Sequence, residues 1–250
     1  SLAMSMDGRW VAWMDDQRVA LLNTLTNTTE QLAGFTWPGY GLDSLAFSPN
    51  GQWLAIAWHD GLKLVNTASS QVVAYSGQTD DGIWTQVRFS PDGRWVAAVE
   101  LLDDPRIHVW NVGTGEERYT LPAVAFTYRD TAFAFSPDSR MMAAAQPEGG
   151  LIVRDFGQTR QSFTVATQVT DMTAIALSPD GRHVALSDQV GVIRIIDMQS
   201  NPTVVTHRQA HPVGHLVYSV DGHWLLSAEF CPDIDEVCFE SNIKVWNAIT

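Results

Sequence analysis

Six short segments of this chain share one plan: an apolar run, a turn of the Ser-Pro-Asp-Gly type, then a second apolar run. They read MSMDGRWVAW, FSPNGQWLAI, FSPDGRWVAA, FSPDSRMMAA, LSPDGRHVAL and YSVDGHWLLS. Their serines, Ser5, Ser48, Ser90, Ser136, Ser178 and Ser219, are spaced by 43, 42, 46, 42 and 41 residues. A period of this size means one supersecondary unit repeated along the chain. Each copy is too small to bury its own apolar faces and must lean on its neighbours.

The third copy shows how one unit is built. TQVRF (Thr85 to Phe89) is a first strand, with alternation around Val87 and Phe89. Pro91 presets φ for the turn, Asp92 follows, and Gly93 supplies the left-handed conformation that closes the hairpin. WVAAV (Trp95 to Val99) is continuously apolar, as a strand buried on both faces must be. After a polar turn at Asp103 and Asp104, RIHVWN (Arg106 to Asn111) is a third strand. Gly113, Thr114 and Gly115 turn the chain again, and ERYTL (Glu117 to Leu121) is a fourth, outer strand. The third strand recurs in every copy and ends at Asn23, Asn66, Asn111, Asp155, Asp197 and Asn247, side chains suited to bonding the backbone of the turn that follows.

Four short strands per unit and a period near 40 to 45 residues predict an all-β propeller. Six four-stranded blades are detectable, starting near residues 1, 44, 86, 132, 174 and 215, and residues 1–250 form a single domain. The sixth blade lacks its outer strand within this range, and SLAMSMDG aligns with SLAFSPNG at Ser44 to Gly51, so the chain opens in a first strand. The expectation is a longer polypeptide in which about 10 to 20 residues before Ser1 supply the missing strand. A seventh blade outside the range is the alternative.

The repeated turn, joined to the third strand with its terminal Asn or Asp, resembles the WD-repeat β-propeller family over essentially all of the chain. The repeats are divergent. Only Trp110 and Trp246 keep the tryptophan of the family's dipeptide, with Leu22, Val65, Arg154 and Ile196 at the equivalent places. The Gly-His pair ahead of the first strand is absent from most copies, His211 being the nearest approach. Such repeats, together with 13 Arg against 2 Lys, are of a bacterial type. The resemblance implies a rigid, non-catalytic scaffold for protein–protein interaction, working as a module of a larger protein.

The formal charge of −13 opposes binding to phosphate backbones and anionic lipid, so nucleic acid and membrane insertion are set aside and a basic protein or peptide partner is expected. No apolar stretch approaches the roughly 20 residues of a membrane span. No cofactor is called for. The chain lacks the GxSxG, HExxH, GxxxxGK[ST] and GxGxxG patterns. The competing class is a six-bladed propeller hydrolase, lactonase or small-ligand binder using the central cavity; the inner strands LDSLAF, TQVRF, TAFAF, TAIAL and HLVYS offer few ligands for a central metal.

Three clusters have chemistry to weigh. Cys231 and Cys238 flank one long hairpin loop and read as a disulfide or as two free thiols; the first places the protein outside the cytoplasm and the second leaves a cytoplasmic location open. His207, His211 and His215 lie on a strand, a loop and a strand, too far apart in extended chain to share one ion, and read as solvated. Asp233, Asp235 and Glu236 alternate like calcium ligands but lack the Gly and closing Glu of an EF-hand.

The surface expected to bind a partner comes from the resemblance. In that family the loops joining second to third strands, and those entering each inner strand, share one end of the disc. Here they bring Trp37, Tyr40, Asp60, Asp103, Asp104, Tyr128, Arg129, Asp188, Asp233, Asp235 and Glu236 together, with Trp84 and His211 nearby. An acidic rim with aromatic anchors suits a basic peptide. The plainer reading is that Asp is a good turn former and that Trp84 lies between blades. Trp10, Trp53, Trp95 and Trp224 recur at the start of second strands and are packing residues.

Overall fold

The structure is a computed structural model that describes residues 1–14, 18–33, 35, 44–58, 61–76, 83–101, 104–123, 133–146, 149–157, 162–165, 167, 169, 171–199, 203–229 and 242–248. The described residues fold into 23 strands grouped in six antiparallel meanders. Sheet 1 holds β1 (Leu2–Met4), β2 (Trp10–Met14), β3 (Val19–Asn23) and β4 (Thr28–Gln31). Sheet 2 holds β5 (Ser44–Phe47), β6 (Trp53–Trp58), β7 (Gly61–Asn66) and β8 (Val72–Ser76). Sheet 3 holds β9 (Ile83–Phe89), β10 (Trp95–Leu101), β11 (Arg106–Asn111) and β12 (Glu117–Pro122). Sheet 4 holds β13 (Phe133–Phe135), β14 (Met141–Ala145), β15 (Leu151–Asp155) and β16 (Ser162–Val165). Sheet 5 holds β17 (Met172–Leu177), β18 (His183–Asp188), β19 (Val192–Asp197) and β20 (Thr203–Arg208). Sheet 6 has three strands, β21 (Val213–Tyr218), β22 (Trp224–Glu229) and β23 (Ile243–Asn247). Two compact units result, Ser1–Pro122 with sheets 1 to 3 and Ala123–Thr250 with sheets 4 to 6.

Each first hairpin is closed by the same side-chain clamp. In sheet 3 the Ser90 hydroxyl donates to Asp92 Oδ1 (2.6 Å) and accepts from the Trp95 amide (3.0 Å), while Asp92 Oδ1 also accepts from the Arg94 amide (3.0 Å). All six copies repeat these three bonds, from Ser5, Asp7 and Trp10 through to Ser219, Asp221 and Trp224. The serine is chosen because it can give one hydrogen bond and accept another at a single buried point. Copy four departs from the pattern: Ser139 takes the glycine's place at φ 60°.

The third strands end as expected. Asn23 accepts from the amides of Leu25 and Thr26, Asn66 from Ala68 and Ser69, and Asn111 from Gly113 and Thr114. Asp155 and Asp197 do the same for Gly157 and Gln199.

Burial within each unit follows a large-against-small rule. One face of a sheet, its trailing face, carries alanine on the first two strands, and the next sheet's leading face fills the space with larger side chains. Ala3 and Ala12 of sheet 1 meet Leu45, Phe47, Leu54 and Ile56 of sheet 2. Ala46, Ala55 and Ala57 of sheet 2 meet Val87, Phe89, Val96 and Trp110 of sheet 3. In the second unit Ala134, Ala143 and Ala145 meet Ile175, Leu177, Val184 and Leu186, and Ala174, Ala176 and Ala185 meet Leu216, Tyr218 and Leu225. Alternation in the inner strand sends large and small residues to opposite faces, so a strand such as TAIAL builds both halves of the joint.

The second strands β6, β10, β14 and β18 are buried on both faces beyond their first residue, apart from Leu101 at the end of β10, as their apolar runs require. β22 is not: it alternates between exposed and buried, because only its leading face is covered. The tryptophans that open second strands are half-buried in Trp10, Trp53 and Trp95 and exposed in Trp224.

Candidate interaction face

The end of the sheet where the second strand turns into the third carries an acid in four of the six copies, with Trp58 and Gln146 in the other two. Glu100, Asp188 and Glu229 close β10, β18 and β22 at equivalent positions, and Asp15 holds that place in the first copy, outside the described residues. Such carboxylates cost free energy to bury unless they are paired. Each is paired inside its own unit.

Asp188 is 9% exposed. Its Oδ1 accepts from the Val190 and Val192 amides (3.1 and 2.9 Å), and its Oδ2 meets Arg194 Nη1 at 2.8 Å. The hairpin is pinned further: the Gly191 amide donates to the Asp188 carbonyl, and the Gln209 amide from the loop into sheet 6 donates to the Gly191 carbonyl at 2.8 Å. Glu100 faces His108 Nε2 at 3.2 Å, while His108 Nδ1 lies 2.7 Å from Glu117 and the ring stacks on Trp110. The side chain that meets the acid therefore comes from the third strand in both sheets, Arg194 in sheet 5 and His108 in sheet 3. In sheet 6 the same place holds Lys244, whose ammonium lies over the Trp246 ring. Glu229 there is held by the Ala210 amide and the Asn242 side chain, each at 3.2 Å. Burial pushes its pKa up, but the Asn242 side chain and the surrounding amides outweigh that and hold it below its ordinary value.

Of the residues read as a partner-binding rim, Asp104 and Asp188 lie within the described structure. Asp104 projects into solvent, with 74% of its side chain exposed, and meets the exposed Arg106 at 2.6 Å. Asp188 is turned inward onto its own hairpin. Trp37, Tyr40, Asp60, Asp103, Tyr128, Arg129, Asp233, Asp235 and Glu236 lie outside the described residues, as do Cys231 and Cys238 with their disulfide. Trp84, weighed as a rim aromatic, is 1% exposed and packs on Trp110 and His108.

The histidines divide. His211 and His215 are exposed, as expected. His207 is not a solvated loop residue: it lies in β20, stacks on Trp246 with ring centroids 4.5 Å apart, and has a buried Nε2. The roles of Arg194 and Glu229 were not anticipated. Aligning the ends of the second strands would have found Glu229, since Glu100, Asp188 and Glu229 fall in one column; Arg194 falls in a third-strand column with His108 and Lys244. Gln209 carries no such signal; it is 3% exposed and its side-chain amide has no hydrogen-bond partner among the described residues. No group of three or more His, Cys, Asp or Glu able to hold a metal occurs among the described residues.

The six sheets match a known architecture. A chain of Kuenenia stuttgartiensis hydrazine synthase superposes over 100% of this chain and 83% of its own, with a TM-score of 0.67 at 14% identity, a likeness of fold alone. The fold is an all-β propeller. A family model described as WD domain, G-beta repeat, matches residues 69–111, which run from β8 through the first three strands of sheet 3. An uncharacterized WD repeat-containing protein of Synechocystis sp. is 28% identical over 155 residues, covering 61% of this chain and 42% of the relative. SEC12-like protein 2 of Arabidopsis thaliana is 26% identical over 199 residues, covering 75% and 49%. The chain thus spans about half or less of the length of these curated relatives. One stretch of the chain thus matches the WD-repeat model, and the clamp within it recurs in all six sheets, so the chain is similar to WD-repeat proteins in a divergent form.

Proposed function

We infer that the chain is a non-catalytic interaction module that presents the loop end of its blades to a basic protein or peptide. The observation carrying this reading is a division of labour among the acids at that end. Glu100, Asp188 and Glu229 are consumed in holding the frame, whereas Asp104 stands in solvent on an exposed pair with Arg106. An exposed pair of this kind contributes about 0–1 kcal/mol, so exchanging Arg106 for a partner's cation costs little. A frame whose hydrogen bonds are closed internally, with labile charge at its rim, favours docking over chemistry.

On this reading Asp60, Asp103, Asp104, Asp233, Asp235 and Glu236 supply the acidic field. Trp37, Tyr40 and Tyr128 supply the anchors, with Arg129 beside them and Asp188 as a support beneath the rim. The test is binding of a fluorescent Lys/Arg-rich peptide with interspersed leucines, followed by anisotropy. The double variant Asp103→Lys/Asp104→Lys is expected to weaken binding by about tenfold at low salt, with a shallower salt dependence. Glu116→Lys, in the turn at the opposite end of sheet 3, is expected to leave it unchanged. Equal binding by parent and double variant, or no binding of basic peptide by the parent, refutes the reading.

A further inference from the structure

The fourth strand of a sheet is paired on one side only. Among the described residues, β4, β8, β12, β16 and β20 pair inward with a third strand and with no strand beyond. Such an edge is a template for another extended chain, and natural sheets blunt it with charge, proline, shortness or a break in the ladder. Four of the five carry a device of this kind. β4 is four residues long and holds Glu30, while β12 holds Glu117, Arg118 and Pro122 and shifts register between Val109 and Trp110. β20 holds Arg208 and shifts between Ile195 and Ile196, and β16 is four residues long with polar Ser162 and Thr164. β8 reads VVAYS: it has no charge and no proline, and its five pairs with β7 run without a shift.

One position separates β8 from the rest. The residue opposite the next-to-last residue of the third strand is Thr29, Glu117, Ser162 and Thr203 in sheets 1, 3, 4 and 5, and Val72 in sheet 2. Val72 is also where the free edge lies. The Asn66 amide bonds the Gln71 carbonyl, and antiparallel pairing alternates, so Val73 and Tyr75 turn their backbone groups to β7 while Val72, Ala74 and Ser76 turn theirs outward. Successive side chains point to opposite faces, and Val72 and Val73 are 38% and 37% exposed, so the edge is apolar on both sides. An acid stands at its start: Glu30 of β4 accepts from the Ser70 hydroxyl at 2.7 Å, just before Val72.

We propose that β8 takes up an extended segment of a partner protein as a fifth strand of sheet 2, a segment aliphatic at alternate residues and basic at the end beside Glu30. The outward backbone groups of Val72, Ala74 and Ser76 hold it, and Val72 and Val73 give it apolar contact on either face. Glu30 and the formal charge of −13 favour a cation on the incoming strand and disfavour a second copy of this chain. The edge is made by an outer strand and not by the loops between second and third strands, so binding here is independent of the acidic loops.

The test is binding of a fluorescent peptide of alternating valine and threonine with a lysine at each end, followed by anisotropy. Val72→Pro removes an outward N–H and spares the β7 ladder; it is expected to weaken binding by about tenfold and to leave the melting temperature unchanged. Thr29→Pro, at the same place in β4, and Asp103→Lys/Asp104→Lys are expected to leave binding unchanged. The parent protein is tested without any substitution by N-methylating every second amide of the peptide, in each of the two phases. The phase whose methyl groups face β8 is expected to lose binding and the other to keep it. Replacing the terminal lysines of the peptide by glutamate is expected to weaken binding. Equal binding by parent and Val72→Pro overturns the proposal, as does equal binding of the two methylated peptides. So does no binding by the parent, or self-association of the chain that Val72→Pro abolishes.

Discussion

Removing one serine hydroxyl from a buried clamp tests how much the repeated turn contributes. Ser90 is fully buried, and its Oγ both accepts the Trp95 amide at 3.0 Å and donates to Asp92 at 2.6 Å. In Ser90→Ala the Trp95 amide loses its side-chain acceptor, and an amide left unsatisfied in the interior costs about 1–3 kcal/mol. Asp92 loses a donor too, but its side chain is 30% exposed, so water replaces much of that bond. The sum is about 2–3 kcal/mol, which for a chain of this size lowers the melting temperature by roughly 4–10 °C. Thermal unfolding followed by tryptophan fluorescence reads it directly. Ser219→Ala should cost less, because the clamp of sheet 6 is open to solvent and water can reach the Trp224 amide. Acid sharpens the test. Desolvation pushes the Asp92 pKa up, but the Ser90 hydroxyl and the Arg94 amide outweigh it and hold the carboxyl below its ordinary 3.8. A depressed folded pKa gives stability that is present above the unfolded value and lost as pH falls through the folded one. Parent and Ser90→Ala should therefore converge as pH drops from 5 toward 2.5. A shift under about 1 °C at neutral pH, or a larger loss from Ser219→Ala, would refute the account.

Three further outcomes follow from specific contacts. Gly191→Ala should be severe, because at φ 78° its Cβ would lie 2.6 Å from the His211 carbonyl and 2.7 Å from that of Gln209; Gly8→Ala, at φ 67° in open space, should cost only the backbone strain of about 1–2 kcal/mol, and urea midpoints separate the two. Arg194→Met strips Asp188 of its cation and should cost about 1–3 kcal/mol, whereas Arg94→Met, at a side chain 75% exposed, should stay within about 0.5 kcal/mol in the same titration. Trp246→Phe removes the indole N–H that donates to the buried Ser227 hydroxyl at 2.7 Å, and a loss of about 1–2 kcal/mol is expected by calorimetry.

The parts of the fold that were legible are those whose cause is local. The Ser-Pro-Asp-Gly turn names its own clamp, and RIHVWN became β11 with the expected ends, Arg106–Asn111. The terminal Asn or Asp of the third strands bonds the next turn in each of the first five copies, where that turn lies among the described residues. What was missed depends on neighbours. β9 begins two residues earlier than expected, at Ile83, with a register shift opposite Ala98 and Gln86 at φ 48°, and no residue type there signals a bulge. Trp84 looked like a rim aromatic because it sits at a strand entrance, but the burial that claims it comes from β6 and β11. Among the site residues, Asp104 and Asp188 look alike in sequence, each in the hairpin between second and third strands. Arg194, six residues after Asp188, decides that one is structural, while Asp104 meets a cation, Arg106, that is itself exposed.

The clamps and ladders close their hydrogen bonds within a single repeat, whereas the apolar faces are satisfied only by the repeat that comes after. A ribosome extruding this chain therefore emits sheets that are complete in their polar groups but always greasy on the newest side. Demand for chaperone cover then rises and falls once per repeat, and a stalled nascent chain aggregates through its last-made sheet.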